Sequence, residues 1–130
     1  MDATAAIAEL RELSTQIETV VVIARDGSLV ASSVQDEAAH RIAAAARDLA
    51  DGADQVRRDL GREALAQLQA ATPEGSVFLV VDDRRTAVAT TGADPTVGLV
   101  FYDLKTLLRQ IAEGDGKAAD EQQEQADASA

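Results

Sequence analysis

The side chains that could do acid–base or nucleophilic chemistry are few in this sequence, and they stand apart. His40 is the only histidine. It falls beside Glu37 and Arg41 in the first turns of an expected helix, where a solvated imidazole is the ordinary outcome. Asp82 and Asp83 are adjacent at an expected turn, so their side chains diverge and make a poor metal pair. Ser32-Ser33 and Thr90-Thr91 lie at strand ends with no base nearby in sequence, and neither G-x-S-x-G nor S-x-x-K occurs. The glycine loops that cradle phosphates, G-x-x-x-x-G-K-[ST] and G-x-G-x-x-G, are missing as well. "RDGS" at residues 25–28 shares only its Asp and Gly with a calcium loop, because Leu, Val and Ala hold the other ligand positions. With no cysteine there are no disulfides, thiolate nucleophiles or Cys-ligated zinc or iron–sulfur clusters. No catalytic residue, cofactor or metal is expected, and the protein is not expected to be an enzyme by itself.

Composition narrows the partners. A chain of 130 residues with 46% hydrophobic residues is long enough for one domain with a real core. Aromatics make up only 2%, which leaves little for stacking bases, sugars or flat cofactors. The net charge of −11 argues against nucleic acid, since phosphate neutralisation needs clustered Lys and Arg. Aspartates flank the only basic pairs, Arg57-Arg58 and Arg84-Arg85. Charges interrupt the first apolar residues, so they do not form a signal peptide, and no apolar run approaches the ~18 residues of a membrane span. Neither nucleic-acid binding nor membrane insertion is expected, and a cytoplasmic location is.

The elements that would position any site follow from periodicity and turn chemistry. Residues 3–17 read as an amphipathic helix with Ala6, Leu10, Leu13 and Ile17 on one face. A hairpin follows at 19–34, where Asp26-Gly27 between two β-rich runs marks a tight turn. That turn reads as a scaffold corner. Asp36 is the expected N-cap of a long helix to about residue 60, with Gly61 just past its end. Residues 64–91 read as a three-stranded meander: "ALAQLQAAT", then "SVFLVVD" after Pro73-Glu74-Gly75, then "TAVATT" after "DDRR". Asp94-Pro95 would open the last helix, whose stripe is Val97, Val100, Phe101, Leu104, Leu107, Leu108 and Ile111. From residue 114 the chain loses apolar periodicity and reads as a disordered acidic tail, which puts the folded domain at residues 1–113. The expected fold is α/β (α+β): a five-stranded antiparallel sheet with helices on both faces, in the order α-β-β-α-β-β-β-α.

With chemistry absent, surfaces become the candidates. Ile42, Ala46, Leu49, Ala53 and Val56 are the expected sheet-facing row of the long helix, and Ala39, Ala43 and Ala50 form a small-residue flank beside it. "ALAQLQAAT" carries no charge, although an exposed sheet edge is normally guarded by Lys, Pro or a bulge. An unguarded edge suggests pairing with a second chain, most simply a copy of itself across a two-fold axis.

In these features the chain resembles the roadblock / dynein light-chain family, whose bacterial branch includes regulators of a small GTPase. The resemblance covers residues 3 to about 112. It rests on the leucine-bearing helix before "VVVIARDGSLVASS", the Ala-rich "QDEAAHRIAAAARDLA", the strand "GSVFLVVD" and the closing "VGLVFYDLKTLLRQI". It implies a non-catalytic scaffold, a homodimer or heterodimer, that binds a small Ras-like GTPase and modulates its nucleotide cycle or localisation. Carried over, the dimer surface is Ala39, Ala43, Ala46, Ala50, Leu65, Gln67 and Gln69, with Arg47, Arg57 and Arg58 as candidate contacts to the GTPase. The chain departs from the family pattern in its third strand, which is poor in β-branched residues, and in the acidic tail. A small-ligand sensor module is the alternative, and it would require a polar-lined cavity.

Overall fold

The computed structural model describes residues 2–61 and 66–128, with side chains as far as residue 116. The elements follow the order α1 (Ala3–Leu13), β1 (Ile17–Ala24), β2 (Leu29–Ser32), α2 (Asp36–Asp59), β3 (Gln67–Thr72), β4 (Gly75–Val81), β5 (Arg85–Thr91) and α3 (Val97–Ala128). All strand pairs are antiparallel, and the sheet order is β2-β1-β5-β4-β3.

Local chemistry sets the element ends. Asp2 caps α1 by accepting the Ala5 backbone N–H at 2.8 Å. The helix stops at Leu13 rather than running to residue 17, because the Ser14 hydroxyl accepts the backbone N–H groups of Gln16 and Ile17 and turns the chain into β1. Ile17 is thus a buried strand residue, and Leu13 is left 77% exposed. The hairpin turn spans residues 25–28, and only Gly27 takes a positive φ, at 90°. Asp26 stays at negative φ and uses its side chain instead, accepting from the Ser28 N–H at 2.9 Å and the Ser28 hydroxyl at 2.6 Å. The cap residue of α2 is Gln35, and Asp36 and Glu37 lie in the first turn, where their charge suits the helix dipole. Asp94 is not the cap of α3. It sits at φ 55° in the preceding turn, and the first helical N–H groups return to the Thr96 carbonyl.

The sheet has an apolar layer on each face. Alternation sends Val20, Val22, Phe78, Val80, Ala87 and Ala89 to one side, where α1 and α3 cover them. Phe78 and Phe101 meet edge to face across that layer, with ring centroids 5.1 Å apart at 79°. On the opposite side Val21, Ile23, Leu79 and Val88 pack under α2. Segment 114–130, expected to be disordered, carries the α3 backbone on as helix to Ala128. Its Ala, Glu, Gln and Lys content favours helix locally, whereas the last buried side chain described on α3 is Ile111.

Candidate interaction surface

The hydroxyls that might have been nucleophiles are occupied by the scaffold. The Ser33 hydroxyl accepts the Val20 N–H at 2.8 Å, the Ser32 hydroxyl bridges the N–H and carbonyl of Val34, and the Thr19 and Thr90 hydroxyls bond to each other. Asp82 accepts the backbone N–H groups of Arg84 and Arg85 and so closes the β4–β5 turn. His40 is exposed on α2. Among the described residues, no group of three or more His, Cys, Asp or Glu could hold a metal ion.

The two sheet edges differ. At one edge β2 has only four residues, and its register against β1 shifts between Val22 and Ile23. That short, irregular edge resists pairing with another strand. At the other edge β3 pairs continuously with β4, from Gln67↔Val80 to Thr72↔Gly75, and among the described residues it has no neighbour on its far side. Gln67, Gln69, Ala71 and Thr72 are exposed, and the strand carries no charge, proline or bulge. Gln69 makes only a long contact to the Ser76 hydroxyl, at 3.4 Å. Leu65 lies outside the described residues.

On α2 the expected sheet-facing row is split: Ile42 and Ala46 do face the sheet, whereas Leu49 and Val56 do not. Ala39, Ala43 and Ala46 are 0%, 5% and 5% exposed within their own protomer; Ala43 and Ala46 pack against the sheet, with Ala50 and Ile42 half-buried beside them. They are therefore not available as a face for a second helix. The larger residues expected beneath the helix lie outside instead: Leu49 is 40% exposed and Val56 60%, followed by Leu60 at 69%. Alanines at 39, 43, 46 and 50 make a complete helical stripe of their own, and small side chains let the helix backbone approach the sheet closely. Arg47 fixes the rotation, since its guanidinium donates to the Asp26 carbonyl of the hairpin at 2.8 Å. Bonds from Ser28 first, and then the Arg47 charge, hold the Asp26 carboxyl below the ordinary aspartate range.

The three candidate arginines are therefore not equivalent. Arg47 ties α2 to the hairpin, Arg58 pairs with Asp54 at 2.8 Å, and Arg57 is exposed in the last turn of α2. Arg47 and Arg58 also line one cavity between α2 and the strand ends. The exposed row of Leu49, Val56 and Leu60 escaped the sequence reading because its periodicity is the same as that of a core row. Only the competing alanine stripe distinguished it.

A five-stranded antiparallel sheet in this order, with α2 on one face and α1 and α3 on the other, is the Roadblock/LC7 fold. The Roadblock/LC7 domain from Streptomyces avermitilis superposes with a TM-score of 0.79 at 14% identity, over 87% of this chain and 97% of that one. Myxococcus xanthus MglB gives 0.73 at 16% identity, over 86% of this chain and 88% of that one. An MglB structure with a tetrameric arrangement gives 0.66 at 14% identity, over 92% and 88%. No protein-family model matches the sequence, and no curated protein matches it. Among the described residues, no helix is long and apolar enough to cross a membrane.

Proposed function

We propose that the protein is a cytoplasmic, non-catalytic dimeric scaffold that binds a small Ras-like GTPase and modulates its nucleotide cycle or its location. The observation that carries this reading is the unguarded β3 edge on a molecule that also exposes Leu49, Val56 and Leu60 along α2. Two copies related by a two-fold axis would pair β3 with β3 and cover the α2 rows with each other. The likeness in fold to MglB, including a tetrameric arrangement of that protein, supports self-association. The Ala39, Ala43 and Ala46 face takes no part, because it is spent inside the protomer. Gln67 and Gln69 flank the paired edge, and Arg47, Arg57 and Arg58 are the candidate contacts to the GTPase.

The test has two stages. Sedimentation velocity over a dilution series should show a dimer. Immobilised protein should then retain a small GTPase from native lysate in one nucleotide state and not the other. Retention of none in either state would remove the GTPase from the reading.

A further inference from the structure

On the face of the sheet away from α2, α1 and α3 lie side by side over the larger core. The Gln16 side chain, just past α1, accepts the Thr96 N–H just before α3, so the two helices run in opposite directions. A cavity of about 60 Å³ is left in the groove between them. Glu9, Leu10 and Leu13 of α1 line it, and so do Asp103, Thr106 and Gln110 of α3. Its volume is that of about two water molecules, which suits the end of one side chain and is far below that of a small-molecule site.

The notch carries one sign of charge. Glu9 and Asp103 line it, no Lys or Arg does, and neither carboxylate has an ion-pair partner among the described residues. Glu9 Oε2 is buried and meets no donor there. Burial also holds the Asp103 carboxyl above its ordinary value. The cations of the two helices stand elsewhere: at about 100° per residue, Arg11, Lys105 and Arg109 fall about 120° or more around their helices from Glu9 or Asp103. A buried carboxylate oxygen without a donor is costly, and a cation seated between the two groups would offset that cost.

The rim of the notch is apolar. Leu13, Leu99 and Tyr102 are 77%, 49% and 62% exposed. Leu13 lines the cavity itself, Leu99 stands one turn before Asp103, and Tyr102 follows Leu99 by three residues. Of the three aromatic residues, Phe78 and Phe101 are buried and Tyr102 alone is outside, where a tyrosine is the kind of anchor that interfaces use.

We propose that the α1–α3 groove docks an amphipathic helix of a basic protein partner, which seats one Lys or Arg between Glu9 and Asp103 and lays its apolar residues on Leu13, Leu99 and Tyr102. A groove between two helices accepts a third along its length, and charge complementarity sets the partner. A second copy of this chain is the wrong occupant, since the chain carries a net charge of −11 and the groove presents carboxylates. The surface lies on the face of the sheet opposite α2, so the inference goes beyond the scaffold reading and does not depend on it.

The probe is a synthetic helical peptide of about 15 residues with leucines along one face and a single central lysine, titrated into the full chain at about 0.15 M salt. Amide NMR shifts and calorimetry follow it. The lysine peptide should bind saturably, with shifts concentrated at Glu9, Leu13, Leu99, Tyr102 and Asp103. Glutamine in place of the lysine should weaken binding about tenfold or more, and so should Tyr102→Ala in the protein. Asp103→Asn should weaken binding while raising Tm, so the lost affinity is not a loss of folding. The control Glu37→Gln removes a carboxylate from α2 and should leave binding unchanged. Circular dichroism checks that each variant is folded. No saturable binding of the lysine peptide would overturn the inference. So would equal binding of the glutamine peptide, or equal weakening in Asp103→Asn and Glu37→Gln. No GTPase enters the assay, so its failure leaves the scaffold reading standing, and the reverse holds too.

Discussion

Val56→Ser separates the stability of the protomer from that of the dimer. Val56 is 60% exposed on α2, so its side chain contributes little inside the protomer. Serine and valine have similar helix propensity, so folding stability should change by no more than about 0.5 kcal/mol. In the proposed dimer the exposed part of Val56 is covered. Full burial of a valine stabilises by roughly 1.5–3 kcal/mol, so covering three-fifths of it is worth about 1–2 kcal/mol per copy. A two-fold interface contains the residue twice, which makes the loss about 2–4 kcal/mol and raises the dimer Kd roughly thirty- to several-hundred-fold. Sedimentation equilibrium of both proteins over a wide concentration range measures the Kd, and urea unfolding at a concentration where both are monomeric measures the protomer. An unchanged Kd would refute the placement of this row at the interface. A loss of several kcal/mol in the protomer would refute the claim that the row lies outside the core.

Other substitutions probe the remaining elements. Ala43→Leu should destabilise the protomer by about 1–3 kcal/mol, because the added methylenes have no room between α2 and the sheet. Loss of the dimer with an unchanged unfolding midpoint would instead return the small-residue face to the interface. A Cβ on Gly27 would lie 2.0 Å from Arg47 Nη1, on a backbone whose φ is 90°. The guanidinium can swing away but the backbone cannot, so Gly27→Val should lose at least about 1–2 kcal/mol, and removing Arg47 as well should not restore it. Burial raises the Asp103 carboxyl above its ordinary value. That group opposes folding once it is ionised, so Asp103→Asn should raise Tm at pH 7, with an advantage that fades as the pH falls through the raised folded value and is gone below the unfolded value near 3.8. An advantage unchanged down to pH 3 would assign the effect to something other than the charge. Truncation to residues 1–113 removes none of the described buried core, since that ends at Ile111. It should therefore leave Tm within a few degrees even though the Arg85–Asp115 pair is lost.

Much of the fold could be read from short-range signals. Alternation in 76–81 and 85–91, the turn residues at 26–27 and 73–75 and the stripe from Val100 to Ile111 each depend on neighbours within a few positions. Those same signals identify the elements in the structure. The boundary at residue 14 was missed because a serine hydroxyl diverted two backbone N–H groups, a bond that apolar periodicity does not register.

The amino-acid pattern by itself determined that α2 would be a helix with two apolar rows and that β3 would be an uncharged strand. Which row of α2 faced inward was decided only in three dimensions. Both rows satisfy helical periodicity, and the choice depends on how close the helix can come to the sheet and on where Arg47 meets the hairpin carbonyl. The cavity beside α2 was equally out of reach, because its arginines come from the β1–β2 turn, α2, the β4–β5 turn and the start of β5. Sequence distance separates these residues, and only the packing of a helix across strand ends brings their charges together.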